Sequence, residues 1–299
     1  MWLSLAFLSA SMLGLYDVAK KQALRDNAVL PVLLLNTFFL ALFFSPLLLS
    51  YYLDLGWFDV DLSLRGISWG EAHLLVFLKA IIVLASWICG YFALKHLPLT
   101  TAGPINATRP MVVLAGAMLI YGERLNAYQW GGILLSVASL FLLSRSSRRE
   151  GIDFKRNKWI LMLALAALLG ASSGLFDKYL MTRLEPFFMQ AWYNVYQLLL
   201  MALIVGMLWL PRRHRTTPFR WHWAIPMISV FLTLADMAYF FALHEADSML
   251  SMVSMIRRSS VVVSFACGAL LFKEKNLRAK AMDLVLILLG MLLIWWGTH

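Results

Sequence analysis

Long apolar runs broken by short polar patches cover almost the whole of this 299-residue chain. Ten such runs can be drawn, at about 2–20, 29–52, 72–95, 99–121, 126–144, 159–182, 187–210, 222–243, 248–272 and 279–297. Each is close to the roughly 20 residues a helix needs to cross hydrocarbon. Backbone groups there find no water, so each run must satisfy its own hydrogen bonds as a helix. The pattern predicts an all-α membrane protein of ten transmembrane helices. The breaks are short (RDN at 25–27, KHLP at 95–98, RLEP at 183–186), and none is long enough for a soluble catalytic domain.

Composition agrees: 61% of residues are hydrophobic and 14% charged, with a mean hydropathy of +0.74. A soluble domain carries about 25% charged residues. The opening MWLSLAFLSASML has no basic stretch ahead of its apolar run, so it reads as the first span and not as a cleaved signal. Cys89 and Cys267 lie inside apolar runs without metal-ligand spacing, so neither a disulfide nor a metal or other cofactor is expected.

The net charge of +10 would suggest nucleic acid in a soluble protein, but here the basic residues report orientation. Three lysines and arginines follow the first span, one the third, six the fifth, four the seventh and four the ninth, eighteen in all. The loops after even-numbered spans hold only Arg65, Arg124 and Arg183. The positive-inside rule then puts the odd loops in the cytoplasm and both termini outside a plasma (inner) membrane.

The chain also repeats itself. GLYDVAKKQAL at 14–24 returns as GLFDKYLMTRL at 174–184, pairing Asp17 with Asp177, 160 positions apart. Asn36 matches Asn194 at 158, FAL at 92–94 matches FAL at 241–243 at 149, and Glu123 matches Glu274 at 151. One insertion, in the acidic loop 54–71, explains the jump in offset. Two five-helix units result, 1–149 and 150–299. Five is odd, so the second enters the membrane in the opposite sense, as in the inverted repeats of secondary transporters.

The phrase YFALKHLPLTTAGPINATRPMVVLAGAMLIYGERLNAYQWGGILL and its partner FFALHEADSMLSM…GALLFKEKNL resemble the EamA branch of the drug/metabolite transporter superfamily. ALKHLP, the mid-helix Pro110 and the Gly122-Glu123 ending carry most of the likeness. The resemblance implies a ten-helix basket with a central cavity and alternating access. It also implies cytoplasmic termini, against which the loop charge stands.

Ionisable groups inside spans are costly and mark cavities or partners. Lys79, Arg109, Arg257 and Arg258 are the deep cations, and Asp236 the comparably deep acid. Arginine grips carboxylate or phosphate in two-point fashion, so an excess of deep cations reads as an anion-binding site. The bland alternative is ion pairing, with Asp236 neutralising Lys79 or an arginine. Asp17 and Asp177 are candidates for gating or coupling, or simply for helix-face pairs such as Asp17 with Lys20 and Lys21. Glu123 and Glu274 read as anchors, and Asn36 and Asn194 as interhelical hydrogen-bonders. Trp87, Tyr193, Tyr196 and Tyr239 could line a cavity.

The function expected is secondary transport or export of a small polar metabolite, anionic through a carboxylate or phosphate. No GxxxxGK[ST] loop offers an ATP engine, and no clustered His, Asp and Ser suggest an enzyme. Export of a cation or amphiphile through an aromatic cavity, and a non-transporting receptor or scaffold, are the alternatives. The expected partners are a small-molecule substrate and the lipid bilayer.

Overall fold

The computed structural model describes residues 2–57, 64, 66–109, 112, 126–148, 156–181, 183–244, 256–257, 259–272 and 277–297. Among these lie ten α-helices. In the first half they are α1 (Trp2–Leu24), α2 (Val29–Tyr52), α3 (Trp69–His96), α4 (Leu99–Ala107) and α5 (Ala127–Arg148). The second half holds α6 (Lys158–Met181), α7 (Pro186–Ile204), α8 (Ala224–His244), α9 (Ser260–Leu271) and α10 (Leu277–Trp296). No strand occurs among the described residues; a lone antiparallel bridge joins Leu64 to Leu184. Among the described residues five apolar helical stretches are long enough to span a bilayer, namely α1, α2, α3, Lys158–Asp177 in α6 and Phe187–Arg215, the last being α7 prolonged by a π turn and a 3-10 turn. Pro110, Glu123, Arg258 and Glu274 lie outside the described residues.

Local chemistry explains several helix ends. Ser68 and Glu71 close a reciprocal capping box that starts α3 three residues earlier than its apolar run suggests. Pro186 opens α7, where its fixed φ and missing N–H cost nothing.

Burial is inverted relative to a soluble protein. Leu134, Leu161, Leu199, Met207 and Leu270 are exposed, whereas Ser9, Asn36, Thr100, Thr101, Gln197, Ser229 and Ser264 are inaccessible. Large apolar side chains facing outward and polar ones facing inward are what a lipid solvent dictates, because hydrocarbon gives no penalty for exposed leucine.

Helix contacts obey an exchange rule. Helix 1 of each unit packs on helix 3 of the other (α1 on α8, α6 on α3). The second helices pack together (α2 on α7), as do the fourth (α4 on α9) and the fifth (α5 on α10). Two hydrogen bonds repeat this: Ser9 Oγ of α1 donates to the Ala235 carbonyl of α8 at 2.6 Å, and Ser86 Oγ of α3 donates to the Ala166 carbonyl of α6 at 2.7 Å. Ser86 and Ala235 are 149 positions apart, the offset of the FAL match, so the same junction occurs twice with donor and acceptor sides exchanged. The two five-helix units are inverted repeats of one another.

Loops after odd-numbered spans meet at one end of the bundle. Asn27 Nδ2 donates to the Arg220 carbonyl, the Arg220 N–H donates back to Asn27 Oδ1, and Lys95 Nζ donates to the Asn27 carbonyl and to Thr217. His96 stacks on Trp159 there, 3.6 Å between ring centres. The even-numbered connections meet at the other end, through the Leu64–Leu184 bridge and a bond from Asn126 Nδ2 to the Gly297 carbonyl.

Close approach of α1 to α9 depends on Gly14, where a Cβ would fall 2.5 Å from Val263 Cβ. Gly14→Ala is expected to lower stability by about 1–3 kcal/mol through overpacking. Gly70→Ala, at a position with open space around it, should leave the melting temperature of the detergent-solubilised protein unchanged.

Candidate functional site

Among the described residues three ion pairs lie in the interior at different heights. Nearest the odd-loop end, Lys20 Nζ lies 2.8 Å from Asp17 Oδ1, one turn along α1. Its ammonium also sits 4.2 Å from the centre of the Tyr16 ring and 5.3 Å from that of the buried Tyr91 on α3. Lys21 does not join this pair. It donates to the Leu94 carbonyl at 2.7 Å and to that of Leu97, closing the end of α3.

Farther in, Arg257 forms an ion pair with Asp236 of α8 and stacks over the Tyr239 ring at 4.5 Å. Toward the even-loop end, Lys79 of α3 pairs with Asp177 of α6 at 2.6 Å. Its ammonium also lies 3.2 Å from Met189 Sδ and 5.2 Å from the Tyr193 ring centre, both on α7. The two partners differ in exposure: the Lys79 side chain is 7% exposed and that of Asp177 38%.

These contacts revise the charge balance expected from the chain. Asp236 takes Arg257 and leaves Lys79 to Asp177, so two of the four deep cations are neutralised by helix-borne carboxylates. Arg109 is placed differently. Its guanidinium lies where a Cβ on Gly170 of α6 would come within 3.0 Å, so the missing side chain at 170 gives it its seat. Asp17, already paired with Lys20, is the carboxylate it feels through space, and its buried Nε makes no hydrogen bond. Nothing in the chain's apolar pattern singles out Gly170 or Met189.

Buried amides continue the polar strip along α7. Asn194 and Gln197 are one turn apart, and Gln197 approaches Tyr193. Asn36 joins helices as expected, its Oδ1 accepting from Ser229 Oγ of α8 at 2.8 Å, but Asn194 makes no such bond. Trp87 packs into the large apolar cluster. Tyr196 bonds His73 Nδ1 at 2.7 Å, within a group of rings from Tyr52, Trp69, Phe188 and Trp192 near the even-loop end. Among the described residues no group of His, Cys, Asp and Glu could hold a metal.

A helical membrane bundle of two inverted units with an ionic interior is the architecture of a small-molecule transporter. The chain belongs to the EamA-like transporter family, which matches residues 1–145 and again 157–296. A solved structure described as "Crystal structure of protein" superimposes on 98% of this chain and 96% of its own, with a TM-score of 0.62 and 16% identity, a likeness of fold alone. No curated protein matches the sequence.

The Arg257–Asp236 pair separates cost from contribution. Asp236→Ala strands a guanidinium and should cost about 3 kcal/mol, whereas Asp236→Leu with Arg257→Met should recover most of it. Thermal melts of the three proteins check this.

Proposed function

We propose that the protein is a secondary transporter that carries a small polar anion, bearing a carboxylate or phosphate, by alternating access between its two units, 1–149 and 150–299. Arg109 carries this reading. Lys20, Lys79 and Arg257 each have a carboxylate in contact, at Asp17, Asp177 and Asp236. Arg109 has none in contact among the described residues and keeps a buried Nε free of hydrogen bonds. A guanidinium in a low-dielectric site without a matched acid is a strong receptor for an oxyanion. We propose substrate-binding roles for Lys79, Arg257, Tyr239 and Trp87 as well, and on sequence alone for Arg258, with Asp17, Asp177 and Asp236 in gating or coupling.

Transport then runs on a substrate or ion gradient. For the anion to drive access from one side to the other, it must bind the two states unequally. Export of a cation predicts the opposite ligand preference, and a receptor or scaffold predicts no flux.

The test is a thermal-shift panel of phosphates, carboxylates, zwitterions and quaternary amines on wild type and Arg109→Gln, followed by counterflow in proteoliposomes. Anions should stabilise the wild type, by about 2.7 kcal/mol at a hundredfold excess over Kd, and the variant much less. Stabilisation by quaternary amines alone, undiminished in Arg109→Gln, would overturn the anion reading. Both termini are proposed to face outward from the plasma membrane, so alkaline phosphatase fused after His299 should be active.

A further inference from the structure

Asp17 and Asp177 occupy equivalent positions in the two units but are neutralised in different ways. Asp17 takes Lys20 from its own helix, three residues on. At the matching place in α6 stands Leu180, and Asp177 takes Lys79 from α3 in the other unit. Only the second aspartate therefore ties one unit to the other. Its lysine is buried among groups that do not neutralise it, the weakly accepting thioether of Met189 and the ring of Tyr193. Of the two partners the Asp177 side chain is the more exposed.

Resting on the anion reading above, we propose that Lys79 is contested by Asp177 and the substrate anion, and that Asp177 takes up a proton when it loses Lys79, coupling transport to protons. One ammonium cannot neutralise two carboxylates in a low-dielectric site. When the anion claims Lys79, Asp177 is left as an uncompensated like charge beside it, and binding a proton removes the repulsion. The charged and titratable groups around Asp177 are Lys79 from α3 and, two residues beyond the end of α4, Arg109, seated at Gly170 of the helix that carries Asp177. Tyr193 of α7 feels Asp177 together with Asp236 of α8 and Tyr16 of α1. On α6 itself stand Lys178 and Tyr179, with Arg183 beyond its end over the Tyr179 ring. Neither Arg109 nor Arg183 comes within salt-bridge distance of Asp177.

The sign follows from linkage. The anion-loaded state holds a proton that the empty state lacks, so anion affinity rises as pH falls, by up to about tenfold per pH unit for one proton.

Lactate and sulfate, whose charges stay constant between about pH 5.5 and 8, serve as probes. Their affinities for wild type, Asp177→Asn, Lys79→Gln and Arg109→Gln are measured by thermal-shift titration across that range. Asp177→Asn should bind more tightly than wild type at high pH and show no pH dependence. Lys79→Gln should bind weakly at every pH. Arg109→Gln should bind more weakly than wild type yet keep its slope. An Asp177→Asn protein with the wild-type pH slope overturns the proton-coupling proposal while leaving the anion reading intact. Failure of both anions to bind wild type and Asp177→Asn at any pH overturns both. A proton gradient imposed across proteoliposomes should drive lactate uptake by wild type, and equal uptake by Asp177→Asn would also overturn the coupling.

Discussion

Moving a bare carboxylate or ammonium from water into a medium of low dielectric costs on the order of 20 kcal/mol in the Born limit, and several kcal/mol even after relaxation. No packing contact in a helical bundle matches that penalty. Every charged side chain in the interior must be answered by geometry, and the positions of the helices follow. Lys79 holds α3 against α6, Arg257 and Asp236 fasten the start of the ninth span to α8, and Lys20 folds back on α1. Among the described residues Arg109 alone of these cations has no carboxylate in contact, which is why the proposed anion site is placed there.

Small residues govern how closely the helices approach and therefore which charges can meet. Gly14 lets α1 lie on α9, and Gly170 makes room on α6 for the Arg109 guanidinium. The hydroxyls of Ser9 and Ser86 bond carbonyls across the two α1–α8 and α3–α6 junctions, joints that lipid gives no hydrophobic force to close. Packing and electrostatics are thus one constraint: the joints that set helix rotation also aim the ions.

The ten apolar runs, the inverted pairing of units and the membrane setting were legible in the chain because they rest on period, run length and repetition. The doubled aspartate was visible for the same reason. Its partners were not. Lys79 is 98 positions from Asp177, and which acid it meets depends on how α3 and α6 rotate about each other, a tertiary property with no local signature. Lys21, at helix-pair spacing from Asp17, instead closes the carbonyls of α3, because spacing along a helix says nothing of a neighbouring helix end. Of the deep arginines and lysines counted along the chain, Lys79 and Arg257 turn out to be paired, and among the described ones Arg109 has no carboxylate in contact.

The different neutralisation of Asp17 and Asp177 also bears on how the two halves depend on each other. A pair of first units alone would carry two Lys79 ammoniums with no equivalent of Asp177 left unclaimed, since each Asp17 is satisfied within its helix. A pair of second units would bury two aspartates with no lysine at either position. At this junction the first half supplies the lysine and the second the carboxylate, so the two halves are complementary there and not alike. A fold that still packs like a symmetric dimer has become, in its electrostatics, an obligate heterodimer on one chain.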